Sequence, residues 1–156
     1  MKRFSLMMVV CGLISGCAMT YQNPVAIAPK ISRQLPSNKT DILRVAKQVL
    51  VAEGFQITNS DDTAGVISTS PRNFRITPQQ ADCGTTMGLD YLADNRTSSK
   101  LGYGILVSGN TITIKANIES EYKPGGTNAV QNITLTCVSR GVLEEAITEK
   151  IMNNFR

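Results

Sequence analysis

Four cysteines, at positions 11, 17, 83 and 137, and the absence of any histidine define the chemistry open to this chain of 156 residues. Without imidazole, the commonest general base, the usual partner of a nucleophilic serine or cysteine, and the commonest zinc ligand are missing. No Cys-x-x-Cys pair occurs, so the cysteines do not read as a dithiol redox centre. Asp61 and Asp62 fall in a turn-rich stretch, but no acidic ligands follow at calcium-loop spacing before Asp82. Asp90 and Asp94 are four apart, so a helical turn would set both carboxylates on one face, though no other catalytic group accompanies them. Gly102-Tyr103-Gly104 is a fragment of a phosphate loop that lacks the third glycine and runs into a β-prone stretch where a helix should begin. Arg72 and Arg75 flank Asn73-Phe74, a grouping too small for a nucleic-acid surface. These residues assign no catalytic, cofactor or metal site, and the chain reads as a non-enzyme with no nucleic-acid partner.

Cys17 is set apart by what precedes it. Met1-Lys2-Arg3 is followed by an apolar run from Phe4 to Leu13 and then by Ile14-Ser15-Gly16. A membrane-spanning helix needs roughly 20 apolar residues, and this run is shorter and interrupted by Ser5 and Gly12, which suits a secretory signal. Ile14-Ser15-Gly16-Cys17 resembles the lipobox of bacterial lipoproteins. That resemblance implies cleavage after residue 16, a diacylglyceryl thioether on Cys17 and an acyl chain on its new amino group. Two or more chains hold a protein stably on a bilayer, at about 0.8 kcal/mol per buried methylene. Ala18 is not the aspartate that commonly retains such proteins at the inner membrane, so the resemblance points to the periplasmic face of the outer membrane.

Processing changes the remaining inventory. Loss of residues 1–16 leaves 140 residues, enough for one domain with a real core. Lys2 and Arg3 leave with the signal, so 14 Lys and Arg face 12 Asp and Glu and the formal charge falls from +4 to +2. Cys11 is discarded and Cys17 acylated, leaving Cys83 and Cys137 as the pair expected to form a disulfide in an oxidising compartment. Such a bond closes a loop of about 55 residues, for which loop entropy gives roughly 4 kcal/mol.

The elements that position these residues follow from periodicity. Residues 17–38, with Pro24, Pro29 and Pro36, read as a lipidated N-terminus and tether able to span roughly 25 Å. Val25-Ala26-Ile27 is the stretch of it that could add an edge strand or be gripped by a partner. Residues 39–156 read as a single domain. Ile42, Val45, Ala46, Val49 and Leu50 trace one face of a helix from Thr40 to Glu53, capped by Thr40 and stopped by Gly54. Phe55-Ile57 and Val66-Ile67 predict a hairpin turning at residues 59–62, and residues 72–77 an edge strand between Pro71 and Pro78. Residues 79–101 read as a long polar loop, the place for binding residues. Tyr103–Val107 and Thr111–Glu119 predict a hairpin through Gly109-Asn110, a turn follows at Lys123–Gly126, and Ile133, Leu135 and Cys137 alternate in a last strand. A final helix carries Leu143, Ala146, Ile147, Ile151 and Phe155, with Ser139 as cap and Glu144 and Glu145 at its positive end. The predicted fold class is α+β, a two-layer sandwich in which an antiparallel sheet of about five strands packs against an N-terminal and a C-terminal helix.

The run from Leu50 through Gly54-Phe55-Gln56-Ile57, and Asp62 to Gly65-Val66-Ile67 behind it, resembles the helix-grip domains of BamC-type outer-membrane assembly lipoproteins over about 30 residues. This chain has one such domain and adds a cysteine pair. The resemblance implies a non-enzymatic, lipid-anchored accessory or adaptor that binds another envelope protein of assembly or secretion machinery. The alternative is a small-ligand-binding or toxin-immunity lipoprotein using the sheet face or the 79–101 loop.

Overall fold

The structure, a computed structural model, describes residues 21–125 and 132–156. The expected signal segment 1–16, Cys17 and Gly126 of the expected turn lie outside the described residues. Strands and helices run in the order β1 Tyr21–Gln22, β2 Ile31–Gln34, α1 Lys39–Ala52, β3 Ile57–Asp61, β4 Val66–Thr69, β5 Arg72–Asn73 and β6 Ala81–Asp82. They continue as β7 Thr85–Thr86, β8 Leu89–Asp90, β9 Thr97–Ser108, β10 Thr111–Tyr122, β11 Ile133–Leu135, β12 Val138–Ser139 and α2 Val142–Met152.

The α+β class holds, with antiparallel sheets, but the single sheet of about five strands does not. Among the described residues there are twelve strands in three sheets: a seven-stranded one ordered β11-β10-β9-β4-β3 with β2 on β10 and β5 on β9, a three-stranded β1-β7-β8, and a two-stranded β12-β6. The extra strands are β2, four residues long, and five of two residues, at 21–22, 81–82, 85–86, 89–90 and 138–139. A two-residue strand contains no alternation to read, and its pairing depends on partners distant in sequence.

The spine is the β9–β10 hairpin, twelve residues on each arm, joined by Gly109-Asn110 and longer at its open end than the apolar alternation alone marks. Leu101, Tyr103, Ile105 and Val107 on β9 and Ile112, Ile114 and Ala116 on β10 are buried on one face, while Lys100, Leu106, Lys115 and Asn117 lie on the other. Both helices pack on the buried face, α1 against β9 and α2 against β10. Helix α1 buries Ile42, Leu43, Val45, Ala46 and Leu50. Its cap is Asn38 and not Thr40: the Asn38 carboxamide oxygen accepts the Asp41 N–H at 3.0 Å, satisfying a first-turn donor. At the other end Gly54, with φ +79°, lets its own N–H reach the Val51 carbonyl and the Phe55 N–H reach Leu50, both at 2.9 Å. This double closure turns the chain sharply into the sheet and buries Phe55.

At α2 the expected roles are exchanged. Gly141 occupies the N-cap position with no side-chain cap, and Ser139 bonds inward. Glu144 is buried instead of complementing the dipole from the surface. Its carboxylate accepts the Ala116 N–H at 3.0 Å and the Ser139 hydroxyl at 2.6 Å. The reason lies in the sheet edge. β2 pairs with residues 111–114 of β10 and β11 with residues 120–122, leaving the stretch between them without a strand; Glu144 supplies the acceptor that a strand would have supplied there.

The tether is the largest correction. Tyr21–Gln22 pairs with Thr85–Thr86, and Ile31–Gln34 with Thr111–Ile114. Leu35 is buried and its N–H bonds Asn110 O at 2.9 Å. The segment 21–38 is therefore folded onto the domain, and residue 38 is not a boundary. The expected 72–77 strand shrinks to Arg72–Asn73 on Leu101 and Lys100, with one further bond from the Phe74 N–H to the Ser99 carbonyl at 3.0 Å before the pairing ends. The first hairpin forms, but residues 59–61 stay in β3 and the turn moves to Asp62–Gly65.

Candidate functional site

Cys83 and Cys137 are disulfide-bonded. The bond ties the segment after β6 to the segment before β12, and β6 and β12 pair directly alongside it through Val138–Asp82 and Ser139–Ala81. The N-terminal strand is fixed to this stapled region. The Tyr21 hydroxyl donates to the Cys83 carbonyl at 2.8 Å and, more distantly, lies 3.4 Å from the Thr136 carbonyl, so one side chain bridges the backbone beside both cysteines. Burial raises the pKa of that hydroxyl and keeps it a donor. Gly84, with φ +74°, is required below it, since a Cβ there would collide with the Gln22 carbonyl and the Tyr21 ring.

Asp82 is the second fixing point. Its carboxylate accepts the N–H groups of Val25 and Ala26, each at 3.1 Å, and that of Gly84 at 2.9 Å, with the Arg140 guanidinium 3.7 Å away. Burial works against the charged form, but the three backbone donors and Arg140 outweigh it and hold the carboxyl below its ordinary range. The backbone at residues 25–26 is therefore held in place while the side chains of Val25 and Ile27 stand 90 % exposed. Immobilised backbone under two solvent-facing branched apolar side chains has no folding rationale within the domain.

Next to Tyr21 is a cavity of about 480 Å³, walled by Tyr21, Tyr91 and Tyr122 and rimmed by Met87, Leu89 and Ile133. The rings of Tyr91 and Tyr122 meet edge to face at 4.9 Å, and Tyr21 lies 6.2 Å from Tyr91. The Tyr91 and Thr86 hydroxyls are 2.7 Å apart, which fixes the β7–β8 hairpin against the wall. That hairpin turns through Met87 (φ 52°) and Gly88 (φ 79°), the two positive angles of the tight turn that suits β-hairpins. Methionine in the left-handed region costs about 1–2 kcal/mol relative to extended or helical backbone, and here it presents a thioether side chain 73 % exposed at the tip.

The remaining chemistry-bearing residues have local structural roles. Asp90 accepts the Leu92 N–H at 2.9 Å, opening a 3₁₀ turn over Tyr91–Ala93, and Asp94 closes it. Asp94 is paired with Arg96 at 2.6 Å, and that guanidinium holds its carboxyl down at about 2. The two carboxylates are thus separately engaged. Asp61 accepts the Ala64 N–H at 2.9 Å in its turn, and Asp62 pairs with Lys47 at 2.5 Å. Arg72 lies over the Phe55 ring at 4.5 Å and near Phe74 at 5.5 Å, so its aromatic partners are internal. Gly102-Tyr103-Gly104 lies inside β9. The 79–101 stretch is built from β6, β7, β8, the 3₁₀ turn and the start of β9, and it does carry the cavity.

At one side of the large sheet the outer strand is β3, polar and irregular between Ile57 and Asn59, which resists strand addition; at the other side β2 and β11 each pair with β10 alone among the described strands. Sequence reasoning missed the tyrosine cavity, since positions 21, 91 and 122 share no local pattern; it marked Val25–Ile27 but not the carboxylate that pins it. No described helix is long and apolar enough to cross a membrane. No protein-family model matches the chain, and no curated protein matches it in sequence.

Proposed function

We propose that this chain is a non-enzymatic, lipid-anchored envelope protein, held through acyl chains on Cys17 at the periplasmic face of the outer membrane, that serves as an accessory or adaptor to another envelope protein. The observation that carries the adaptor reading is the Val25–Ile27 display. Asp82 removes most of the conformational freedom of that backbone before any partner arrives, so the ordering cost that usually weakens a linear epitope is already met. Val25 and Ile27 stand exposed on either side of the less exposed Ala26, offering two apolar side chains to a partner.

A photoreactive residue at position 25 or 27, irradiated in intact envelopes, is expected to give a discrete crosslinked species that Val25→Ser/Ile27→Ser competitor protein fails to suppress and native protein suppresses. A smear identical to that from a probe at Thr58 on β3 would defeat the reading. The second reading, a small apolar ligand, is favoured by the cavity, whose size falls within the usual range for ligand sites.

A further inference from the structure

We propose that the tyrosine-walled cavity and its Met87–Leu89 rim rest on the hydrocarbon boundary of the bilayer that carries the anchor. This rests on the reading of Cys17 as acylated and gives the cavity's partner as lipid. The first argument is reach. Cys17 is four residues before Tyr21, and four residues span at most about 14 Å. Tyr21 is not free to extend this, because it is hydrogen-bonded to Cys83 and paired in β1 against β7. A compact domain of about 140 residues is roughly 35–40 Å across, so the anchor cannot lie under any face other than the one holding Tyr21, which is a cavity wall.

The second argument is the composition of that face. Met87, Leu89 and Ile133 are exposed apolar side chains, set beside the half-buried Tyr21, which combines an apolar ring with a hydroxyl, over the buried Tyr91 and Tyr122. Rings of this kind concentrate at the level of lipid headgroups. The third is charge. The cations beside the cavity are already matched: Arg96 with Asp94 at 2.6 Å and Lys123 with Glu121 at 3.3 Å. The contact is therefore apolar, independent of anionic lipid and insensitive to salt, unlike a polybasic surface. It forms once the anchor has raised the effective concentration of the rim at the bilayer.

The test uses the mature chain from residue 17, in which Cys17 is the free thiol because Cys83 and Cys137 are bonded to each other. The thiol is coupled to a maleimide lipid in phosphatidylcholine vesicles, so the geometry is examined whether or not cells acylate Cys17. The chain has no tryptophan, so Leu89→Trp and, separately, Ile133→Trp act as single reporters of depth. Leu106→Trp is the reference: Leu106 and Leu89 are equally exposed at 47 %, but Leu106 pairs opposite Thr113, about 30 Å of strand from Tyr122.

Both rim reporters are expected to shift to the blue on anchoring and to lose emission to brominated lipids, in high salt as in low, with Leu106→Trp unchanged. Equal quenching at all three positions, or none at the rim, overturns the proposal. Shielding of the rim only on addition of solubilised envelope protein overturns it in favour of a protein partner. Palmitate labelling of the native chain in cells reads the acylation of Cys17 separately, so the two failures are distinguishable.

Discussion

The hydroxyl of Tyr21 donates to the carbonyl of Cys83 across 62 positions of sequence, joining the first described strand to the backbone of the disulfide. The cysteine pair therefore does more than close a loop in the unfolded chain; it sets the surface on which the N-terminal segment lies.

Cys83→Ser/Cys137→Ser is expected to lose about 4 kcal/mol on the loop-entropy estimate, read as a lower urea midpoint. Limited proteolysis should then cut within residues 23–30, because Asp82 holds Val25 and Ala26 directly while Cys83, Thr85 and Thr86 hold Tyr21 and Gln22 just before them. Denatured but unreduced domain lacking Cys17 should titrate no thiol. Two reactive thiols, or a midpoint unmoved by reductant, would contradict the assignment.

The Asp82 clamp carries a pH signature. Its folded pKa lies below its ordinary value of 3.8, so the carboxylate contributes stability that is fully present above that value and is lost as pH falls through the lower folded one. Amide exchange protection at Val25 and Ala26, corrected for intrinsic rates, should hold from pH 7 to pH 5 and decline below about 4. Asp82→Ala should abolish the protection throughout. Protection that survives the alanine change would mean that other contacts fix the segment.

Glu144→Ala leaves the Ala116 N–H buried without an acceptor, at an expected cost of about 1–3 kcal/mol. Glu144→Gln keeps an oxygen for Ala116 and presents an amide to a Ser139 hydroxyl that can rotate to accept, so most of the stability should return. Denaturation of the two variants under identical conditions separates this from a simple packing effect, which would make Gln and Ala differ by volume alone and leave the Ala116 amide protected in both.

Cys17→Ser is expected to leave the signal uncut and to stop palmitate incorporation, while Cys11→Ser changes neither. Palmitate on the Cys17→Ser chain would end the lipoprotein reading.

Much of the helical and hairpin frame was legible because it is local. Helix α1 declares itself through Ile42, Val45, Ala46 and Leu50, and β10 through the alternation of Ile112, Ile114 and Ala116. The errors arise where structure depends on distant partners. Thr85-Thr86 has no strand signal of its own and is a strand because Tyr21-Gln22 lies beside it. Glu144 looks like a first-turn surface acid until the strandless stretch of β10 comes next to it. Asn38 displaces Thr40 as the cap because the helix begins at Lys39, two residues before the Asp41 that a Thr40 cap would make its first. The disulfide followed from counting cysteines and reasoning about compartment, whereas the cavity, gathered from positions 21, 91 and 122, has no representation in any window of sequence.

The pairing of Tyr21–Gln22 with Thr85–Thr86 also imposes an order of events on maturation. A chain that crosses a membrane N-terminus first exposes its cleavage and acylation region long before residues 85–86 and 111–114 emerge, and contacts this far apart in sequence form late. On the proposed lipoprotein reading, β1 is thus without its partner during export and becomes closed only when the rest of the domain has folded. Processing at Cys17 would then have a time window that the fold itself ends, so a domain that folds too early would shield the residues that the proposed maturation must reach.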